Sequence, residues 1–146
     1  GLESVSAAIA LGVVASELDE STLDSEASSN RDLLATALER LTTTPGISLL
    51  GPLESPDRLP HLLCLAVEGV EPQGVVLGLD RLGIALHSGS SCASEGLEPS
   101  PVLEAMGVDA QRSLRVSVGH NSTIDDINAL CEQLPQIVSE LRSLSA

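Results

Sequence analysis

Cys92 is the residue whose surroundings most strongly suggest chemistry. It lies in "HSGSSCASEGLEPS", residues 87–100, among serines, glycines and an alanine, with no large apolar residue within three positions. Residues 88–98 show neither helical nor alternating apolar periodicity, which predicts an exposed loop that can move. A free thiol is only a few per cent thiolate at about pH 7, and Glu95 and Glu98 oppose its ionisation. Cys92 is therefore a candidate nucleophile whose ionisation must be assisted by other groups.

The other two cysteines and the three histidines give weaker signals. Cys64 lies in "LLCLAV", which is apolar on both faces, and Cys131 lies on the apolar stripe of the last helix, so both are predicted core residues. The chain has no Cys-x-x-Cys pair and its histidines are scattered, so neither a metal site nor a disulfide framework is predicted. A cysteine–histidine hydrolase would require the fold to bring a histidine to Cys92, which the sequence leaves open.

Arg115 is the second candidate for a functional role. In "SLRVSVG" the alternation places Leu114, Val116 and Val118 on one face of a strand and Arg115 on the other. An arginine so placed can grip a carboxylate with two parallel hydrogen bonds. The alternative is a surface arginine in a salt bridge.

The elements that must position these residues follow from periodicity and capping. Apolar residues at helical spacing predict five helices, and short apolar runs bounded by glycine or proline predict four strands, "GISLL", "LLCLAV", "IALHS" and "SLRVSV". Asn30, Ser100 and Thr123 are predicted N-caps, the last with Asp126 in a capping box. The helices are predicted over 2–18, 31–42, 72–82, 101–106 and 124–144. The polar stretch "DESTLDSEASSN", residues 19–30, is predicted to be an exposed connection. Alternating strands and helices indicate one two-layer α/β domain over residues 1–146.

The composition excludes several classes of protein. The 146 residues are 42% hydrophobic, yet no apolar run approaches the ~20 residues that a bilayer requires. The first residues carry acids rather than the basic start of a signal peptide, so we predict a cytoplasmic protein. A net charge of −14 and the absence of Phe, Tyr and Trp argue against nucleic-acid binding. All seven basic residues are arginines, so no side chain can form a Schiff base with a carbonyl substrate or cofactor.

Taken together, "SGSSCASEGLEPSPVLEAMG" and "SLRVSVGHNSTIDDI" resemble the C-terminal part of the pyridoxal-phosphate-dependent cysteine desulfurases, within the class V aminotransferase-like family. The likeness is to the subgroup with a Ser-Gly-Ser-x-Cys loop, and it extends back through "RLPHLLCLAVEGVEPQGVVLGLDRLGIAL" and weakly to the start. It implies the small C-terminal domain of a fold-type I pyridoxal-phosphate enzyme. Leu2 stands where the family usually has a phosphate-binding threonine, which puts that contact in doubt.

The resemblance implies a role for each candidate residue. Cys92 would take sulfur from L-cysteine as a persulfide and pass it to acceptors, for example in iron–sulfur cluster assembly. Arg115 would hold the substrate carboxylate. Pyridoxal phosphate would be bound by a large domain that these residues do not include, so no cofactor-binding residue is expected here and these residues alone should be inactive. The implied partners are that large domain, a second copy in a homodimer, and sulfur-acceptor or iron–sulfur scaffold proteins. A selenocysteine lyase, or a non-catalytic persulfide carrier, is the alternative.

Overall fold

The computed structural model describes residues 3–52, 58–88 and 100–144 of the chain. Within these ranges the chain forms five α-helices, four strands and one short 3-10 turn over Ala110–Arg112. In chain order the elements are α1 Val5–Glu17, α2 Glu20–Leu41, β1 Ile47–Leu49, β2 Leu62–Val67, α3 Pro72–Asp80, β3 His87–Ser88, α4 Pro101–Ala105, β4 Ser113–Ser117 and α5 Ile124–Leu144.

The strands form one antiparallel sheet in the order β1-β2-β4-β3. β2 and β4 are the central pair, in register from Leu62 opposite Ser117 to Ala66 opposite Ser113. The third predicted strand, "IALHS", is confirmed only at His87–Ser88, because residues 84–86 pair with no neighbouring strand. The centre of the sheet thus joins two strands that lie far apart in the sequence.

Helices α2, α3 and α5 cover one face of the sheet and form the core with it. β2 buries alternate residues, Leu63, Leu65 and Val67, and β4 buries Leu114 and Val116 toward the same helices. The predicted two-layer α/β architecture is confirmed. Because an alternation of helices and strands along the chain does not fix strand direction, the antiparallel pairing could not be predicted from it.

The predicted connection over residues 19–30 is wrong, because this stretch is the first half of α2. Asp19 is the N-cap, and its carboxylate accepts hydrogen bonds from the Thr22 backbone N–H at 2.8 Å and the Ser21 hydroxyl at 2.6 Å. These bonds, with the Ser21 hydroxyl contributing most, hold the pKa of Asp19 below its usual value. Asn30, the predicted N-cap, is a buried residue inside the helix. The stretch lacks an apolar stripe, so periodicity could not reveal it.

Helix α1 is confirmed within its predicted range but buries none of its residues. Its apolar side chains, including Val5, Ile9 and Leu11, are more than half exposed. The apolar stripe in the sequence therefore does not contact the core among the described residues. No helix in ranges 3–52, 58–88 and 100–144 is both long and apolar enough to cross a membrane.

Helices α3 and α5 approach each other closely along two glycines. A Cβ placed on Gly78 would lie 2.9 Å from Cγ2 of Ile137, whereas one on Gly74 would lie 3.4 Å from Cδ1 of Leu141. Ordinary carbon–carbon contacts are about 3.5–4.0 Å, so Gly78 has no room for a side chain and Gly74 has almost enough. The contact between these helices depends on the missing Cβ at Gly78.

Both ends of α5 are fixed by side-chain hydrogen bonds. The predicted capping box is confirmed: the Thr123 backbone N–H donates to the Asp126 carboxylate at 2.8 Å, and the Asp126 N–H donates to the Thr123 hydroxyl at 3.3 Å. At the other end the Arg142 guanidinium donates to the carbonyl oxygens of Glu68, at 2.7 and 3.0 Å, and Pro45, at 2.8 Å. Arg142 thus ties the end of α5 to the turns beside β1 and β2.

Candidate active site

Arg115 lies in the middle of β4, on the sheet face opposite the helices, which we call the outer face. Its neighbours Leu114 and Val116 are 0% and 3% exposed and lie in the core. Because successive strand residues point to opposite faces, these two side chains fix the direction of the half-buried Arg115. The predicted orientation is confirmed.

Strand register places a cysteine and a histidine beside Arg115. Cys64 of β2 is its partner on one side and His87 of β3 its partner on the other. Directly opposed residues share a face, with Cβ atoms about 4.5–5.5 Å apart. The three form a line across the outer face, the Cys64–Arg115–His87 row. This row could not be predicted from the sequence, because register between distant strands leaves no signal in local periodicity.

The prediction that Cys64 lies in the core is wrong. Residues 63, 65 and 67 of β2 are buried, whereas Cys64 is half-buried on the outer face. Burial raises the pKa of the Cys64 thiol, and the Arg115 guanidinium partly opposes that rise. The thiol is therefore neutral near neutral pH. An apolar run on both faces of a strand gave no means of choosing which residues face the core.

Cys131 lies where the sequence predicted, on the buried side of α5. Burial raises the pKa of its thiol, with a smaller opposing effect from Arg40. Both described cysteines are thus poor nucleophiles, because thiol reactivity follows the thiolate fraction and exposure.

His87 is exposed, and a hydrogen bond selects its tautomer. Its Nδ1 lies 2.7 Å from the carbonyl oxygen of Ser88. A carbonyl oxygen only accepts, so Nδ1 must carry the hydrogen. In the neutral ring Nε2 therefore holds the lone pair, and in the imidazolium Nε2–H is a charged donor.

Cys92 lies in residues 89–99, outside the described residues, so its role and the predicted loop stay predictions. The described residues on either side define where that segment starts and ends. It follows Ser88, directly after His87 of the row, and precedes Ser100, the residue before α4. Pro101 begins α4 and Gly107, at a φ of 71°, follows its end, as predicted.

The remaining histidines lie away from the row. His61 precedes β2, and His120, in the turn before α5, lines a polar groove with Glu26 and Asn30 of α2. Across ranges 3–52, 58–88 and 100–144, no three His, Cys, Asp or Glu residues are grouped so that they could hold a metal ion.

Comparison with known proteins defines the class. Residues 1–130 match the model of the aminotransferase class-V family. This chain belongs to that family.

Individual relatives narrow the similarity to cysteine desulfurases. The chain is 43% identical over 119 residues to a cysteine desulfurase from Cereibacter sphaeroides, a match that covers 77% of this chain and 30% of the relative. It is 37% identical over 150 aligned positions to a cysteine desulfurase from Enterobacter agglomerans, covering 99% of this chain and 36% of the relative. The chain thus spans about a third of the length of these curated relatives.

Solved structures support the fold. A NifS-like protein from Rickettsia africae superposes with a TM-score of 0.66 at 24% identity, over 79% of this chain and 29% of that one. At this identity the match supports the fold alone. The cysteine desulfurase CsdA from Escherichia coli superposes with a TM-score of 0.60 at 28% identity, over 78% of this chain and 25% of that one.

Pyridoxal phosphate, the cofactor implied by the resemblance, is not accommodated by these residues alone. Covalent binding of a carbonyl cofactor requires a lysine amine, and all seven basic residues here are arginines. Any lysine for that purpose must come from residues outside these 146.

Proposed function

We propose that this chain is the C-terminal domain of a cysteine desulfurase, in which Cys92 accepts the sulfur of L-cysteine. The observation that carries the proposal is the 37% identity to a cysteine desulfurase over 99% of the chain, which includes the Cys92 segment. In the proposed reaction L-cysteine and the Cys92 thiol give alanine and a Cys92 persulfide, which balances atoms and electrons. The persulfide sulfur then passes to an acceptor protein.

Arg115 is the proposed site for the substrate carboxylate. It is half-buried, which strengthens a charge-assisted hydrogen bond relative to one in open water. Arg115 is paired with His87 of β3, and the segment that contains Cys92 begins just after that strand. A carboxylate bound by Arg115 therefore lies near the start of the Cys92 segment. This supports a division of labour in which β4 binds the substrate and the segment after β3 supplies the nucleophile.

The rest of the active site is proposed to come from a longer polypeptide. A preceding large domain would supply the lysine that this chain lacks, and a pyridoxal phosphate held there would supply the electron sink that breaking the carbon–sulfur bond requires. A homodimer, sulfur-acceptor or iron–sulfur scaffold partners and a cytoplasmic location stay predictions from the resemblance and the sequence.

The test uses the full-length gene product. We expect Cys92→Ser to bind L-cysteine as the parent does but to form no persulfide, because a hydroxyl cannot accept the sulfur. We expect Arg115→Ala to raise the KM for L-cysteine about ten- to hundredfold, since a lost charge-assisted hydrogen bond costs about 1.5–3 kcal/mol. Arg115→Lys should recover only part of the affinity for L-cysteine, because a lysine cannot form the bidentate hydrogen bonds of an arginine.

The controls distinguish the proposal from its alternatives. Cys131→Ser replaces a buried thiol and should retain sulfur release. Persulfide formation by Cys92→Ser would remove Cys92 from its proposed role. A clear preference for selenocysteine over cysteine would favour a selenocysteine lyase. Persulfide on Cys92 that appears only when another desulfurase is added would favour a carrier.

A further inference from the structure

We propose that His87 is a second substrate-binding residue, which holds the substrate carboxylate together with Arg115. The inference rests on the proposed function and extends it to a residue to which neither the comparisons nor the resemblance gives a role.

The geometry of the sheet carries the inference. His87 and Arg115 are directly opposed on β3 and β4, so their side chains leave the same face from neighbouring points. The opposite face is occupied by the core that α2, α3 and α5 form with Leu114 and Val116. The two cation-forming side chains therefore share the outer face, where a carboxylate can lie against both.

The hydrogen bond of His87 supports this role for its outer nitrogen. Because Nδ1–H donates to the Ser88 carbonyl, the ring is oriented and its hydrogen-bonding capacity toward a ligand rests on Nε2. When the ring is protonated, Nε2–H donates to a carboxylate, and when it is neutral, Nε2 can only accept and repels one.

Cys64, the third member of the row, does not oppose an anion that is bound by Arg115 and His87. Cys64 carries a neutral thiol, since burial raises its pKa, so it adds no negative charge beside Arg115. The expected ligand is a small carboxylate, which matches the α-carboxylate of an amino acid.

The experiment measures KM and kcat for L-cysteine in the full-length enzyme and in His87→Gln, His87→Arg and His61→Gln. We expect His87→Gln to raise KM about three- to tenfold, the range for one charge-assisted hydrogen bond that is partly screened by water. Its kcat at saturating cysteine should stay within about twofold of the parent. His87→Arg, which keeps a charged donor at every pH, should keep a KM near that of the parent.

Comparison of the two His87 variants separates ligand binding from a structural effect. A lost contact with the carboxylate should be restored by the charged donor in His87→Arg, whereas a structural effect of replacing His87 should appear in both variants. His61→Gln, the same substitution on an exposed histidine outside the row, should match the parent throughout.

Several results would overturn the inference without touching the proposed function. They are an unchanged KM in His87→Gln, a loss confined to kcat, or a KM in His87→Arg that is raised as much as in His87→Gln. A parent enzyme that releases no sulfur from cysteine would instead overturn the proposed function itself. The two failures are therefore distinguishable.

Discussion

Gly78→Ala tests the closest contact between α3 and α5. A Cβ at this position meets Ile137 Cγ2 at 2.9 Å and Cδ1 at 3.3 Å. The isoleucine or the helix must therefore move by several tenths of an ångström. Since Ile137 is itself buried in the core, little free space exists to receive it.

The expected magnitude is the sum of two opposing effects. Alanine favours a helix interior over glycine by about 0.5–1 kcal/mol. Overpacking of a well-packed core costs about 1–3 kcal/mol. Gly78→Ala should therefore lower the free energy of unfolding by about 1 kcal/mol. Gly74→Ala, in the same helix but with Leu141 at 3.4 Å, should raise it by about 0.5 kcal/mol.

The measurement is urea-induced unfolding of this chain, followed by circular dichroism at the helix band because the chain has no Trp or Tyr for fluorescence. Equal slopes against urea would show that the midpoint shift reports stability. In the Ile137→Ala background, which removes Cγ2, the cost of Gly78→Ala should disappear. If Gly78→Ala is as stable as Gly74→Ala, the close contact does not limit packing and our reasoning about it is wrong.

Three further predictions concern the ends of α5 and the thiols. The Thr123 backbone N–H, followed by its hydroxyl, holds the pKa of Asp126 below its usual value. Asp126 therefore stabilises the fold above about pH 4 and loses this effect as the pH falls through its folded pKa, so Asp126→Asn should be less stable than the parent at about pH 7 but equal to it near pH 2. A constant difference at both values would contradict the capping box. Arg142→Ala should lower the free energy of unfolding by about 1 kcal/mol, because three hydrogen bonds to two carbonyls are lost, and Arg142→Lys should recover part of it. An unchanged urea midpoint in Arg142→Ala would show that these hydrogen bonds do not stabilise the fold. A bulky alkylating reagent should label Cys92 before the other two thiols, whose pKa values are raised by burial, as judged by peptide mass spectrometry, and the reverse order would refute the assignment.

Local signals were sufficient for several features that depend on neighbours in sequence. The capping box at Thr123, the proline that begins α4 and the alternation around Arg115 were all predicted from a few adjacent residues. Each rests on geometry that repeats every two to four positions, so residue type and spacing are enough to reveal it.

The sequence failed where stability comes from capping without periodicity, or where distant strands meet. The first half of α2 is polar and is recognisable only through the Asp19 cap. The pairing of Cys64 and His87 with Arg115 depends on register, which no local pattern encodes.

The sheet order has a consequence for how this chain folds. β2 and β4 lie side by side at its centre, but the whole of α3, β3 and α4 comes between them in sequence. Closing so long a loop costs entropy before any pairing energy returns, so this step should be slow compared with formation of the helices. The outer-face row is assembled from three strands by that same late step. A folding chain in which β2 and β4 have not yet paired would have most of its helices but no proposed substrate site. Loop-closure entropy grows only logarithmically, by about 0.6 kcal/mol for a doubled length, so insertions in the connection from β2 to β4 should delay assembly more than they weaken the finished domain.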